Sequence, residues 1–401
     1  MNLEETLRNE GGRVLATLIR LTGDFQLAED ALQEASLSAV EIWSKGHIPD
    51  NPAAWLTAIA RNKALDRMRR ETKRSGKELE AMRLLVDDSL PDDGHDDRLR
   101  LIFTCCHPAL SVDSRVALSL RTICGLTTVE IARAYLTSET TMGQRISRAK
   151  KKIATARIPY RVPAAHELPD RLASVLAVVY LVYTMGHHAG EGRLDSRTDL
   201  AIEAIRLGRL LVELMPDEPE AAGLLALMLA TDARRKARLD KAGEVLLLAD
   251  QDRSQWNHHQ IREASELVER NLRRGARGEY LLEGAIASLH GLASNWDETD
   301  WRQIVELYRM LELAKPTVVV RVNRAVAEAE LSGPEAGLRL LDDVEGVANW
   351  HLYWSTRAEL LHRSGLFDQA AAAYRDALTC PMNESDRHFL EQRLASLSAL
   401  N

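Results

Sequence analysis

Cysteine, phenylalanine and strand-like alternation are all scarce in this 401-residue chain, which holds four Cys, four Phe and 5% aromatic residues. Cys105, Cys106, Cys124 and Cys380 are too few in a chain of this size to form a disulfide framework. They are expected to be buried structural thiols. The Cys105–Cys106–His107 group has no C-x-x-C partner elsewhere, so a zinc site is not expected. Long apolar runs are also missing. The longest, LASVLAVVYLVYTMG from 172 to 186, is shorter than the roughly 20 apolar residues of a membrane helix and predicts a buried one. MNLEETLRNE at the start is acidic and has no apolar stretch, so no signal peptide is evident and a cytoplasmic location is expected. No phosphate-binding loop, G-x-S-x-G elbow or H-E-x-x-H pair occurs. Enzymatic chemistry and a cofactor are therefore not expected. His187, His188 and Glu191 fall in a Gly-flanked loop, where adjacent histidines do not converge on one ion. Asp250, Asp252 and Arg253 read as a cap and salt-bridge cluster.

What the chain does have is helix. Apolar residues recur at spacings of three and four, which predicts an all-α fold. Even TVVVRVN, residues 317–323, reads as a helix start after Pro316. The length implies two or three domains, and the charge is unevenly shared between them. Residues 1–166 carry 25 Lys+Arg against 22 Asp+Glu, while 167–401 carry 27 against 37. A basic front half facing nucleic acid and an acidic back half facing other partners fit that split. Six aspartates between Asp87 and Asp97, with Pro91 and Gly94, mark an acidic linker. The expected segments are 1–75, a linker at 76–97, a second helical unit at 98–160, and a helical region at 168–401 beyond a proline-rich break.

Three stretches carry the functional signal. In TTVEIARAYLTSETTMGQRISRAKKKI (127–153), Thr127 and Glu130 form the T-x-x-E capping box of a short helix. Thr137 or Ser138 then caps a second helix, with Met142, Ile146, Ala149 and Ile153 on one buried stripe. Thr140, Thr141, Gln144, Arg145 and Arg148 project from its other side. This is a helix-turn-helix, whose second helix enters a major groove. Gly143 to Arg161 contains seven basic residues and no acidic one, a phosphate-binding pattern that includes Lys150, Lys151 and Lys152. Gly143 itself is unfavourable there, by about 1 kcal/mol relative to Ala. Upstream, DFQLAEDALQEASLSAVEIW (24–43) turns Leu27, Ala31, Leu32, Ala35 and Ala39 inward and Glu29, Asp30, Gln33, Glu34 and Glu41 outward. NPAAWLTAIARNKALDRMRR (51–70) begins with Asn51 and Pro52 at a helix start and accumulates Arg61, Lys63, Arg67, Arg69 and Arg70.

In this order and spacing, the three stretches resemble the extracytoplasmic-function (ECF) sigma factors, which direct bacterial RNA polymerase to promoters. The resemblance implies that the acidic helix docks on the polymerase clamp through Glu29, Asp30, Gln33, Glu34 and Trp43. It implies that Lys45, His47, Asn51, Trp55, Arg61, Asn62, Lys63, Arg67, Arg69 and Arg70 meet the −10 element. The helix-turn-helix would read the −35 element through Thr140, Thr141, Gln144, Arg145 and Arg148, with phosphate affinity from Lys150, Lys151 and Lys152. Trp55 also fits a simpler role as a core anchor. At the other end, the chain from His351 is similar to a tetratricopeptide repeat, with Trp354, Ala358, Ala370, Tyr374 and Ala377 at template positions. Such an extension, together with LMPDEPEAAGLLALMLATDARR and LLLADQDRSQW, is similar to the ECF subgroup that carries a long repeat domain. YTMGHHAGEG departs from the NEGY-like motif of that subgroup. The implied partners are core RNA polymerase, promoter DNA and a protein or intramolecular ligand of the repeats, without membrane attachment. A stand-alone helix-turn-helix regulator or a repeat scaffold are the alternatives.

Overall fold

The computed structural model describes residues 3–45, 47–75, 96–135, 137–187, 194–240, 246–382 and 384–398. Most of the acidic linker, and His188 and Glu191, lie outside them. Among the described residues the regular elements are α-helices with a few short 3-10 turns, so the chain is all-α. It divides into two compact units, Met1–Leu214 and Met215–Asn401.

The first unit begins with three packed helices, α1 (Leu3–Thr22), α2 (Phe25–Trp43) and α3 (Pro52–Ser75). Local chemistry fixes their ends. Gly23 takes a positive φ of 66° after α1, and the Asp24 carboxylate accepts from the Gln26 and Leu27 amides to start α2. Asn51 Oδ1 accepts from Ala54 N ahead of Pro52. The buried stripe of α2 is Ala28, Ala31, Ala35, Ala39 and Trp43. Leu27 and Leu32, expected inward, are only half-buried. Four small residues let α2 approach Leu56, Ala60 and Ala64 of α3, which are buried with them.

Four further helices follow: α4 (Asp97–Cys105), α5 (Val112–Thr122), α6 (Thr128–Ala134) and α7 (Glu139–Thr155). Phe103, Leu118, Leu120, Ile131 and Met142 lie at their centre. The last two linker aspartates have structural roles: Asp96 N-caps α4, and Asp97 is ion-paired to Arg20 and Arg100.

The unit is completed by α8 (Leu168–His187) and α9 (Leu194–Leu214). Sequence reading placed both helices with the back half, but their polar side chains serve carbonyls at helix ends of the front half. Arg171 donates to Phe103 O (2.7 Å), Ser174 to Cys106 O (2.8 Å) and Arg206 to Ile123 O (3.3 Å). Carbonyls in the last turn of a helix have no partner inside it, and a buried one needs a donor from elsewhere. By length and hydropathy α8 could cross a membrane; here Leu172, Val175, Val178, Val179 and Val182 are buried in protein.

The second unit contains α10 (Pro219–Asp232), α11 (His258–Arg273), α12 (Glu279–Leu292), α13 (Trp301–Ala314), α14 (Val318–Ser332), α15 (Pro334–Asp342), α16 (His351–Arg363), α17 (Phe367–Thr379) and α18 (Glu384–Ser398). Thr317 caps α14, so TVVVRVN is helical. A Cβ on Gly223 would lie 2.3 Å from Leu281 N, so only glycine lets α10 meet α12 there. The Glu220 carboxylate accepts from the Tyr280 and Leu281 amides at the start of α12. Asp252 caps a 3-10 turn, while Arg253 donates to the carbonyls of His290 and Ala293 and lies over the Trp256 ring. Ala358, Ala370, Tyr374 and Ala377 share one core with Leu361 and Leu390.

Two outcomes follow. A chain ended after Pro163 lacks the donors of α8 and α9 and should melt about 5–10 °C below one ended after Leu214, the shift expected for roughly 2–3 kcal/mol in a unit of this size. Equal midpoints by calorimetry would contradict the assignment of these helices to the front unit. Cys105, Cys106, Cys124 and Cys380 are buried free thiols. Burial pushes Cys106 up to about 11 and Cys124 up to about 12 from an ordinary 9.0, and raises Cys105 as well. A thiol reagent at pH 8 should therefore leave these three unmodified until the chain unfolds. Because the folded values are raised, their contribution to stability is complete below pH 9 and declines as pH rises through the folded values. Denaturant midpoints measured from pH 8 to 11 would check this.

Candidate nucleic-acid interface

Thr127 Oγ1 accepts from Glu130 N (3.2 Å), and Glu130 Oε2 accepts from Thr127 N (2.6 Å), so both halves of the capping box are made. The short α6 ends at Tyr135. Ser138, one of the two expected caps, starts α7 by accepting from Thr141 N (3.1 Å). Met142, Ile146, Ala149 and Ile153 are all buried. Gly143 packs toward Thr128, and an added Cβ would meet Thr128 Cγ2 at an ordinary 3.9 Å, so close packing does not demand glycine there.

The stripe leaves Thr140, Thr141, Gln144, Arg148, Lys151 and Lys152 exposed on α7, together with Ser147, which sequence reading passed over. This ridge of hydroxyl, amide and cationic groups suits base edges at its N-terminal end and phosphates farther along. Two members of the expected set are held instead. Arg145 is half-buried, its guanidinium 5.2 Å from the Tyr135 ring centre and 3.7 Å from Asp113. Lys150 forms an ion pair with Glu29 of α2, both side chains largely covered.

The α2–α3 pair presents a second cationic surface. Lys45, His47, Asn51, Arg61, Asn62, Arg69 and Arg70 are exposed; Trp55, Lys63 and Arg67 are half-buried. Arg67 bonds both Asp30 and Glu34 of α2, the latter at 2.7 Å. The hydrogen bond to Asp30 raises its already high pKa. Asp66 lies 3.7 Å from Arg69 one turn along. Trp55 packs on Trp43 with ring centres 5.6 Å apart.

The expected docking set of α2 divides in the same way. Gln33 is exposed, whereas Glu29, Asp30 and Glu34 are half-buried in ion pairs. Trp43 is only 7% exposed and belongs to the core beneath that surface, which explains why an aromatic closes the alanine stripe. Sequence reading missed Leu37 and Val40, 60% and 53% exposed on the outward side of α2. Their signal was available, since neither falls on the alanine stripe.

Three family models match the chain. Sigma-70 region 2 matches residues 7–74, Sigma-70, region 4 matches 100–153, and a family of unknown function (DUF6596) matches 171–272. Over 396 residues the chain is 39% identical to an uncharacterized protein of Rhizobium meliloti (strain 1021), across 96% of this chain and 94% of that one. No solved structure matches.

The two arginines of α7 should separate experimentally. Arg148→Ala should weaken binding to duplex DNA and lower the salt slope by about 1 while leaving the melting temperature unchanged. Arg145→Ala should lower the melting temperature as well, because it removes the contact with Tyr135. Salt titrations with calorimetry distinguish the two, and indistinguishable variants would refute the division.

Proposed function

We propose that the protein is an alternative sigma factor of the extracytoplasmic-function type, a reading supported by its matches to Sigma-70 region 2 and Sigma-70, region 4. It binds core RNA polymerase and directs initiation at promoters with defined −35 and −10 elements. The observation that carries this reading is one compact unit holding both a capped helix-turn-helix with an exposed basic ridge and an α2–α3 pair with a second cationic face. A lone regulator needs only the first of these. On this reading α2 meets polymerase through Gln33, Leu37, Val40 and Glu41, all exposed. Single-stranded DNA favours cations beside aromatic faces, and Lys45, His47, Asn51 and the exposed basic residues of α3 supply the −10 contacts. Thr140, Thr141, Gln144 and Arg148 read the −35 element, and Lys151 and Lys152 hold its phosphates. The protein carries no chemistry of its own and acts in the cytoplasm. The helical hairpins of the second unit bind a protein or peptide that modulates the front half, as stacked helical repeats commonly do.

Run-off transcription tests this directly. Core polymerase with the full chain should give transcripts from a genomic promoter library that share one −35/−10 pair. A chain ended after Leu214 should retain that promoter preference and differ in yield, which reports the effect of the second unit. If neither chain binds core polymerase or yields transcripts, the sigma-factor reading fails.

A further inference from the structure

Where α1, α4 and α9 meet, beside the end of α5, the front unit encloses a cavity of about 220 Å³. Among the described residues, Arg13, Arg98, Arg206 and Arg209 line it, against one carboxylate, Glu213. None of these four arginines belongs to the exposed ridge of α7 or to the α2–α3 surface. On α9, Arg206, Arg209 and Glu213 follow at spacings of three and four, which sets them along one face. Arg98 comes from the first turn of α4 and Arg13 from the middle of α1. Gly12 also lines the cavity. A Cβ there would stand 2.8 Å from Ile123 O, so glycine is what lets α1 come this close to the end of α5.

Carboxylates that do not line the cavity orient three of the arginines. Asp96 accepts from Nε and Nη2 of Arg98, the latter at 2.7 Å. Glu203 accepts from Arg206 Nε at 2.7 Å, and Glu10 lies 3.8 Å from Arg13 Nη1. A guanidinium carries five N–H donors in a fixed fork, so these contacts do not exhaust it. Arg98 spends its Nε and Nη2 edge and keeps Nη1. Arg206, which also donates to Ile123 O at 3.3 Å, is the most committed of the set and serves as fixed positive charge.

Glu213 is held differently. It meets Arg98 Nη2 at 3.2 Å while its side chain stays 65% exposed. An ion pair that exposed contributes little, so a stronger anion can displace it. Planar guanidinium forks suit phosphoryl oxygens, which accept two parallel bonds where a compact ammonium gives a point charge. The volume sets the size of such a ligand. It falls below the roughly 300–1,000 Å³ of sites for larger organic ligands and suits a small anion.

We propose that this cavity is a binding site for a small phosphoryl anion, with Arg13, Arg98 and Arg209 as donors and Glu213 as the carboxylate it displaces. Neither polymerase nor promoter DNA is needed for it. Two of its arginines lie on α9, inside the stretch that matches the family of unknown function, and two lie on α1 and α4 outside that stretch. The bound anion therefore ties α9 to α1 and α4. A ligand that binds only the folded form stabilises it by mass action, so the anion sets how firmly the front unit holds together.

The test is titration calorimetry and thermal melting of the full chain at fixed ionic strength. Its probes are inorganic phosphate, pyrophosphate and glycerol phosphate, with sodium chloride as the control. Saturable binding by at least one probe is expected, and the order among them shows which form the site takes. At a hundredfold excess over Kd the melting midpoint of the front unit should rise by about 5–10 °C. Arg13→Ala, at an exposed position, should weaken binding by about tenfold. Glu213→Gln should tighten it by up to about fivefold, a gain that damage to the fold cannot produce. The site is overturned if no probe binds saturably, if chloride gives the same rise in midpoint, or if both variants bind as the wild-type chain does. Displacement of the bound probe by a duplex oligonucleotide would assign the arginines to a nucleic-acid backbone and overturn the small-anion site.

Discussion

Glu29 and Asp30 are neighbours on α2, and each takes a cation from a different part of the chain, Lys150 from α7 and Arg67 from α3. This pairing organises the front unit. Arg67 ties the acidic face of α2 to the basic end of α3, so the helix expected to meet polymerase and the helix expected to meet DNA keep a fixed relation. Lys150 extends the same charged line to the helix-turn-helix. Exposed ion pairs contribute little, but Lys150 and Glu29 are only 16% and 20% exposed. Losing one partner of so covered a pair leaves the other partly desolvated and unpaired, which costs more than the pair contributes.

The same constraint sorts the basic residues by use. A run such as RISRAKKKI looks uniform in sequence, yet Arg145 packs on Tyr135, Lys150 closes on Glu29, and Arg148, Lys151 and Lys152 stay exposed. Counterion release on DNA depends on the cations that actually reach phosphate. The effective charge of the ridge in this form is therefore smaller than its composition suggests.

What could be read in advance was local. Thr127 with Glu130, Ser138, and the stripe at Met142, Ile146, Ala149 and Ile153 are set by contacts within four residues, and all stand as the sequence implied. The alanine stripe of α2 was legible in part, because its exact face depends on how closely α3 approaches. The pairing of α8 and α9 with the front unit was not legible. It rests on Arg171, Ser174 and Arg206 reaching carbonyls 68 to 83 residues away, and no periodicity encodes such a reach. Gly11–Gly12 within an otherwise helical pattern was a hint that α1 meets another element at close range. Mid-helix glycine weakens a helix unless a close approach requires it, and at Gly12 the approach is there.

The motifs of the second unit bear on where its activity lies. LMPDEPEAAG and DQDRSQW are the stretches whose chemistry invites a search for a site, since they concentrate acids, an arginine and a tryptophan. The fold uses them for architecture. Glu220 satisfies the first amides of α12, Gly223 allows the helix crossing, and Arg253 satisfies two carbonyls at the end of α12. Burial raises the Glu220 carboxyl, and the backbone amides it accepts from at the start of α12 oppose that shift. Residues committed in this way are poor candidates for ligand contact. The exposed side chains of the hairpins that follow, from α13 to α18, are the better place to look for a partner, and their identity will follow the partner's shape rather than any short motif.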